Sequence, residues 1–573
     1  MAEKRHILII GAGVSGILLA HHFKKYLSHA YTFQIVEKNH DVGGTWLENT
    51  YPGCACDVPS DIYQYSFAPT KNWSTLFASS GEIQKYLSQV VNHFNLRERV
   101  EFCTSVKRCA WDEHKRKWMV DTECNGILTT GREADFLINA SGILNHYQYP
   151  DIRGLDSYKG LLIHTANWDH SVDLTGKRVS VIGAGASAVQ VVPQIQPLVK
   201  QLSVYIRTPS WITTLPESFQ ELGSAADTSD DEYLQRCKDF ESYYNMLFPV
   251  FHKDSSTQKQ KRQEMASWME DRIADPVLRE KLIPNYELGC RRISPGEPFL
   301  RILQESNVKC IFNPIASCEP EGLKTQDGIE ASDVIIAATG FNTSFRPRFP
   351  LLGRNNIDLR DLWRDDPASY LGLGCAGFPN YLSMLGPNCP VANGSLIGSL
   401  EAMADFVVRL LKRVDSFGVA TFDPDKGAQD DFNNQVEEFM KDAVWTGNCS
   451  SWYKRGYNGK VTAVWPGSSL HYREVLEQDR WEDWHWTYLG GRYRMWGKGQ
   501  SAVESADGDH SHYLKHGPLL PEPSSSSKCH RKDSKDDIGN DVRNGHSSIL
   551  SSGQGDKLSD NIGERIGSGL TSV

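Results

Sequence analysis

Two short stretches carry glycine at the spacing that brings backbone up against a phosphate: Gly11-x-Gly13-x-x-Gly16 and Gly183-x-Gly185-x-x-Ala188. In such a turn the first glycine permits the tight bend, and the second lets the main chain approach a pyrophosphate. The third position lets helix pack on strand, and alanine suffices there. The helix that follows presents free N–H groups to the anion; Ser187 lies in the second turn. Glu37 stands 21 positions after Gly16, placed to accept from a ribose hydroxyl as in an FAD site. At the second site the next strand, Leu202 to Ile206, ends in Arg207-Thr208 instead of an acid. An arginine there pairs with a 2′-phosphate through two N–H groups, which predicts NADPH over NADH. One site of each kind predicts a flavin enzyme that takes hydride from NADPH.

These turns need strands and helices to hold them. His6 to Ile10 has a buried-strand pattern, and an apolar-periodic helix follows the turn to about Lys24. Lys177 to Ile182 repeats the design, followed by a helix carrying Val189, Val192 and Ile195. The recurrence at 172 positions is too distant for a solenoid and predicts two separate Rossmann-like domains in an α/β fold. Ile35-Val36, Phe136 to Ile138 and Asp333 to Ala337 look like further buried strands, the last marking the chain's return to the first domain. From Glu217 to Leu282 the pattern is helical and charged, as in an insertion. After about Ala502, Ser, Gly, Asp and Lys dominate and Tyr513 is the only aromatic, a composition that cannot bury enough apolar area to stay ordered. The expected organisation is 1–155 first part of the FAD domain, 156–330 NADP domain with the 217–282 insertion, 331–502 second part of the FAD domain ending in an active-site loop, and 503–573 a disordered tail.

Composition removes other classes. With 573 residues and a net charge of −10 the chain lacks the basic excess of a nucleic-acid binder. No apolar run approaches the ~20 residues that a membrane span needs. Gly11, Gly13 and Gly16 interrupt the one N-terminal stretch resembling a signal peptide, so a cytoplasmic enzyme is expected. The 13 cysteines are scattered, with Cys54-x-Cys56 the only close pair. Neither a metal site nor a disulfide framework is expected, and most thiols are read as reduced. No obligate protein partner is evident.

The segment Tyr158-Lys159-Gly160-Leu161-Leu162-Ile163-His164-Thr165-Ala166-Asn167-Trp168-Asp169 resembles the Baeyer–Villiger monooxygenase fingerprint F-x-G-x-x-x-H-x-x-x-W-P/D. Tyr158 replaces the usual Phe; Gly160, His164, Trp168 and Asp169 match. Gly43-Gly44-Thr45-Trp46 and Tyr51 to Val58, followed by Tyr63, look like the family's flavin-contacting segments. Gly289-Cys290-Arg291-Arg292 is similar to the stretch ending in its active-site arginine. Ala338-Thr339-Gly340-Phe341 is similar to the link between its nucleotide domains, and Trp452-Tyr453 to the start of its C-terminal loop. The resemblance runs from about Ile7 to Trp496 and is nearest to fungal members.

The resemblance implies FAD against Gly44, Thr45, Trp46, Asp57, Val58, Tyr63 and Val106, and NADP against Ala55, Cys56, Asp57 and Arg291. It implies oxygenation of a ketone by dioxygen and NADPH to an ester or lactone, with a bulky cyclic ketone of secondary metabolism as substrate. Arg292 would be the fixed cation at the reacting oxygens and Asp57 would position it. His164 and Trp168 are expected to lock a hinge by packing. Cys54 and Cys56 are expected to line a cofactor or pack. A nitrogen- or sulfur-oxygenating enzyme and a non-oxygenating reductase remain open.

Overall fold

In the computed structural model, residues 4–216, 219, 225–389, 392–455 and 459–520 are described. Two parallel five-stranded sheets organise the chain up to Gly499. The first has the order Tyr381–Ser383, Phe136–Asn139, Arg5–Ile10, Tyr31–Val36, Val100–Glu101. The second has the order Val308–Ile311, Gln201–Tyr205, Arg178–Ile182, Val334–Ala337, Leu161–His164. Both are covered on their two faces, so their strands read as short, nearly continuous apolar runs. Ile7, Ile9, Ile35, Phe136 and Ile138 enter one core; Val179, Val181, Leu202, Val204, Val334 and Ile336 enter another. The helix Leu396–Ser416 backs the first sheet, and the Tyr31 hydroxyl donates to the carbonyl of Leu411 at 2.7 Å.

One expectation is corrected. Val334–Ala337 pairs with Arg178–Ile182 on one side and Leu161–His164 on the other, inside the second sheet. The chain therefore returns to the first domain after Gly340 and not at 331. Leu351–Leu352 then joins the antiparallel sheet of Thr104–Asp112, Lys117–Cys124 and Ile127–Ala134, and Tyr381–Ser383 joins the first parallel sheet. A buried apolar run fits either parallel sheet equally well, so its composition does not say which one it enters.

Within the expected insertion lie the helices Asp230–Met246, Ser256–Arg272 and Pro276–Leu282. Residues 217, 218 and 220–224 of that stretch lie outside the described residues. Residues from Gln500 onward form a separate unit. Its described part carries one helical turn, Ala502–Ser505, and is otherwise irregular and largely exposed. Residues 521–573, most of the expected tail, lie outside the described residues. No described helix is long and apolar enough to cross a membrane.

Candidate functional site

Each glycine turn meets a backbone constraint that a side chain would break. Gly11 has φ +101° and Gly183 φ +130°; a Cβ would lie 2.9 Å from the Ala140 carbonyl oxygen at the first and 2.4 Å from that of Ala338 at the second. Gly16 lies so close to the Gly11 carbonyl that a Cβ would fall 2.0 Å from its oxygen. Gly44, at φ +54°, faces Gly13, and a Cβ on it would reach within 2.9 Å of the Gly13 Cα. The two glycines thus shape one bare backbone cradle.

The helices leaving these turns share a second feature. Val14–Tyr26 starts at Gly13 and Ala186–Ile195 at Gly185, with no side-chain cap and no acid in the first turn. Elsewhere Ser79, Ser229, Ser255, Ser395, Asp425 and Ser468 cap their helices with side-chain oxygens. Uncapped N–H groups behind a bare cradle are the donor set that a pyrophosphate needs, so both turns fit a dinucleotide. Glu37, 3% exposed, accepts from Ala12 N at 2.7 Å and Asn39 N at 2.8 Å. It ties the first turn to the end of the second strand while keeping acceptor sites for a ribose.

Arg207 is exposed at the end of its strand, next to Thr208. Arg291 reaches the same corner and donates to the carbonyls of Thr208 at 2.9 Å and Pro209 at 3.2 Å. Two guanidiniums therefore flank the end of the second nucleotide strand. The segment from Tyr51 to Asp57 docks on the second nucleotide helix: the Tyr51 hydroxyl donates to Gln190 Oε1 at 2.7 Å, and Gln190 Nε2 donates to the Ala55 carbonyl at 2.9 Å. Gly53, at φ +80°, lies where a Cβ would meet the Gln190 carbonyl oxygen at 2.6 Å. Ser187 and Ala188 belong to the same helix, and Ala188 is fully buried.

Asp57 ends this bridge between the two nucleotide turns. Arg292 grips it with two bonds, Nε to Oδ2 at 2.7 Å and Nη2 to Oδ1 at 2.6 Å. Burial alone would lower the arginine pKa, but Asp57 holds the guanidinium well above its ordinary range. Arg292 is thus a permanent cation in a fixed orientation. Val58 is buried; Tyr63 accepts from Trp46 Nε1 at 3.2 Å, beside Thr45 and Gly44. Val106 is half-buried in the antiparallel sheet at a register shift. Cys54 and Cys56 are separate buried thiols, and burial pushes both pKa values up, so neither is an activated nucleophile.

The fingerprint residues lie where the connectors between the sheets run together. His164 is fully buried; its Nδ1 accepts from Ala166 N at 3.0 Å, and its ring stacks on Tyr147 at 4.7 Å. Burial brings its pKa down to about 4. Thr339 Oγ1 donates to the Gln148 carbonyl at 2.8 Å, and Tyr147 bridges to Phe341, so the outward and return connectors are fastened beside His164. Gly160 has no room for a Cβ, which would lie 2.3 Å from the Tyr158 hydroxyl. That hydroxyl donates to the Ser332 carbonyl at 2.9 Å, a bond open to tyrosine and not to phenylalanine. Trp168 packs on the second core, and Asp169 accepts from Ser171 N and Oγ. None of the four contacts Arg292 in these bonds; they brace the junction.

Residues 4–352 match the family described as flavin-binding monooxygenase-like. The chain belongs to the flavin-binding monooxygenases. The FAD-binding monooxygenase moxY of Dothistroma septosporum is 37% identical over 513 residues, covering 85% of this chain and 82% of its own. A Baeyer–Villiger monooxygenase of Streptomyces coelicolor is 35% identical over 480 residues, covering 82% and 90%. The fold is similar to that of OTEMO in complex with FAD and NADP, with a TM-score of 0.73, 28% identity, and 84% and 99% of the two chains covered. Cyclohexanone monooxygenase from Rhodococcus sp. Phi1, bound to NADP⁺, gives 0.72 at 26% identity, covering 85% and 100%. In sequence and fold the chain is similar to Baeyer–Villiger monooxygenases.

Three features of this flavin-binding monooxygenase were not foreseen. Tyr453, 2% exposed, brings its phenol into hydrogen-bonding reach of the Arg292 guanidinium. Arg236, in the insertion, pairs with the buried Asp61 at 2.9 Å and pins the helix Asp230–Met246 to the flavin-side segment. Cys290 and Cys449 form a disulfide, a pair the reading of the cysteines did not single out; the ten other described cysteines are free thiols. Spacing gives no signal for any of these pairs, because each joins residues far apart in the chain.

Proposed function

We propose that this monooxygenase converts a ketone, dioxygen, NADPH and a proton into an ester or lactone, NADP⁺ and water. The observation that carries the reading is the doubly bonded Arg292–Asp57 pair at the junction of the two nucleotide cradles. The Gly11–Gly16 cradle would hold FAD, with Gly44, Thr45, Trp46, Val58, Tyr63 and Val106 contributing contacts. The Gly183–Ala188 cradle would hold NADPH, with Arg207, Thr208 and Arg291 binding its 2′-phosphate and Ala55, Cys56 and Asp57 contributing further contacts. When bound, the flavin takes hydride from NADPH and activates dioxygen.

The chain's own residues orient and stabilise. Transferring oxygen to a carbonyl carbon, and then moving a carbon group onto oxygen, builds negative charge on oxygen. Arg292 supplies N–H donors and a charge that no working pH removes. Asp57 fixes the plane of the fork and moderates its charge. Tyr63, Tyr244 and Tyr453 stand near this pair. Such aromatic walls suit a bulky cyclic ketone, give it apolar contact area and exclude water.

The test is to incubate the yellow protein with NADPH, ¹⁸O₂ and panels of cyclic ketones, amines and sulfides. A lactone carrying one labelled oxygen supports the reading. Labelled N- or S-oxides alone would move the enzyme to the sister class, and NADPH consumption with no labelled organic product would make it a reductase.

A further inference from the structure

The bridge Cys290–Cys449 lies two residues from Arg292 and four from Tyr453, and joins segments 159 positions apart. Packing and hydrogen bonds near it join those segments further. Gly289, at φ +84°, lies against the Phe251 ring, which stacks on Trp445 at 5.2 Å. Lys454 donates to the carbonyls of Gly447 and Cys449. Beyond the bridge, Tyr453 is rooted on the flavin side: its carbonyl accepts from Thr462 N at 3.0 Å, and the Thr462 carbonyl accepts from Asn388 N at 2.7 Å. Arg292 comes from the nucleotide side, after the helical insertion. The disulfide is therefore the one covalent tie, among the described residues, between the segment carrying the arginine and the segment carrying the tyrosine.

We propose that the Cys290–Cys449 disulfide is a redox-sensitive staple that holds Arg292 between Asp57 and Tyr453. Tyr453 is then a second positioning residue for the arginine, beside Asp57. The proposal rests on the oxygenation reading for its consequence, but the staple itself does not. To close it, two thiols give up two protons and two electrons and one S–S bond forms. A small-molecule disulfide such as oxidised glutathione accepts them in two successive exchanges and leaves as two thiols. A dithiol runs the reaction backward. Both sulfurs are buried, but Asn448 and Ser450 beside Cys449 are exposed, so an exchanging thiol enters from that side. Closed, the staple keeps the guanidinium at its working distance; open, the arginine segment can shift, and a displacement of about 1 Å at such a site costs roughly a hundredfold in rate.

The test uses the full-length FAD-loaded enzyme in three states: treated with oxidised glutathione, reduced with a dithiol, and reduced then reoxidised. Peptide mapping without reduction should find residues 290 and 449 cross-linked in the first and third states. Reduction should lower ester formation per NADPH by about tenfold and raise hydrogen peroxide release to match, with the flavin content unchanged; reoxidation should restore both. Cys449→Ser should behave as the reduced enzyme in every state, with a melting temperature several degrees lower that no longer responds to dithiol. Absence of the cross-link after oxidation overturns the proposal. So does a cross-link whose reduction leaves product share and peroxide release unchanged. If no ketone is oxygenated in any state, the oxygenation reading fails by itself, and dithiol-dependent peroxide release during NADPH oxidation still decides the staple.

Discussion

Arg292 and Asp57, separated by 235 positions, meet through two near-parallel N–H···O bonds of 2.7 and 2.6 Å. The aspartate comes from the segment that leaves the flavin cradle and docks on the second nucleotide helix. The arginine comes from the far end of the helical insertion. Their pairing closes the gap between the two cradles and gives the junction a cation of fixed direction.

Asp57→Asn keeps the shape of this side chain but removes its charge and one acceptor. The arginine then loses its bidentate partner and its orientation. Ester formation should fall by about 10²-fold, within the range for removing an oriented electrostatic group, while bound FAD stays near one per chain. Product yield measured beside flavin content checks this.

Arg207 is exposed and, among the described residues, forms no ion pair, so its charge is available to a ligand. Arg207→Ala should raise the KM for NADPH by at least about tenfold and leave that for NADH within about twofold. Initial rates with the two cofactors decide the point, and equal effects on both would contradict a 2′-phosphate role.

Gly44 has no freedom to change. Gly44→Ala forces an L side chain to φ +54° and puts its Cβ 2.9 Å from the Gly13 Cα. The cradle can only open or shift, so the protein should fold and purify without its flavin absorbance.

Much of this architecture is local and was legible. Both glycine turns, Glu37 and Arg207 follow from spacing along a single strand–turn–helix unit, where chain geometry leaves few alternatives. Arg292 and Asp57 were legible only through resemblance, since nothing in their surroundings says that the fold brings them together. Val334–Ala337 was recognised as a strand but put in the wrong domain, because burial on both faces looks the same in either sheet. The Cys290–Cys449 bridge was not legible: a pairing over 159 positions depends on a tertiary contact that cysteine spacing does not encode.

His164 is neutral in the folded protein, with burial holding its pKa at about 4 against an ordinary 6.5. The folded state thus binds fewer protons than the unfolded one, and stability rises with pH. The contribution is complete above pH 6.5 and is lost as pH falls toward 4. His164→Asn, which retains an acceptor for Ala166 N, should flatten the acid-side fall in melting temperature across that window. A thermal melt series at several pH values measures the slope; an unchanged slope would mean that the ring is not the titrating group.

The central claim is that Arg292 serves oxygen transfer and not cofactor binding. Arg292→Ala should bind FAD, bleach on anaerobic addition of NADPH at close to the parent rate, and yield no more than about one hundredth of the parent's ester. Ester formation at the parent level would contradict the account. Loss of flavin reduction together with ester formation would contradict it too, because the arginine would then belong to cofactor binding.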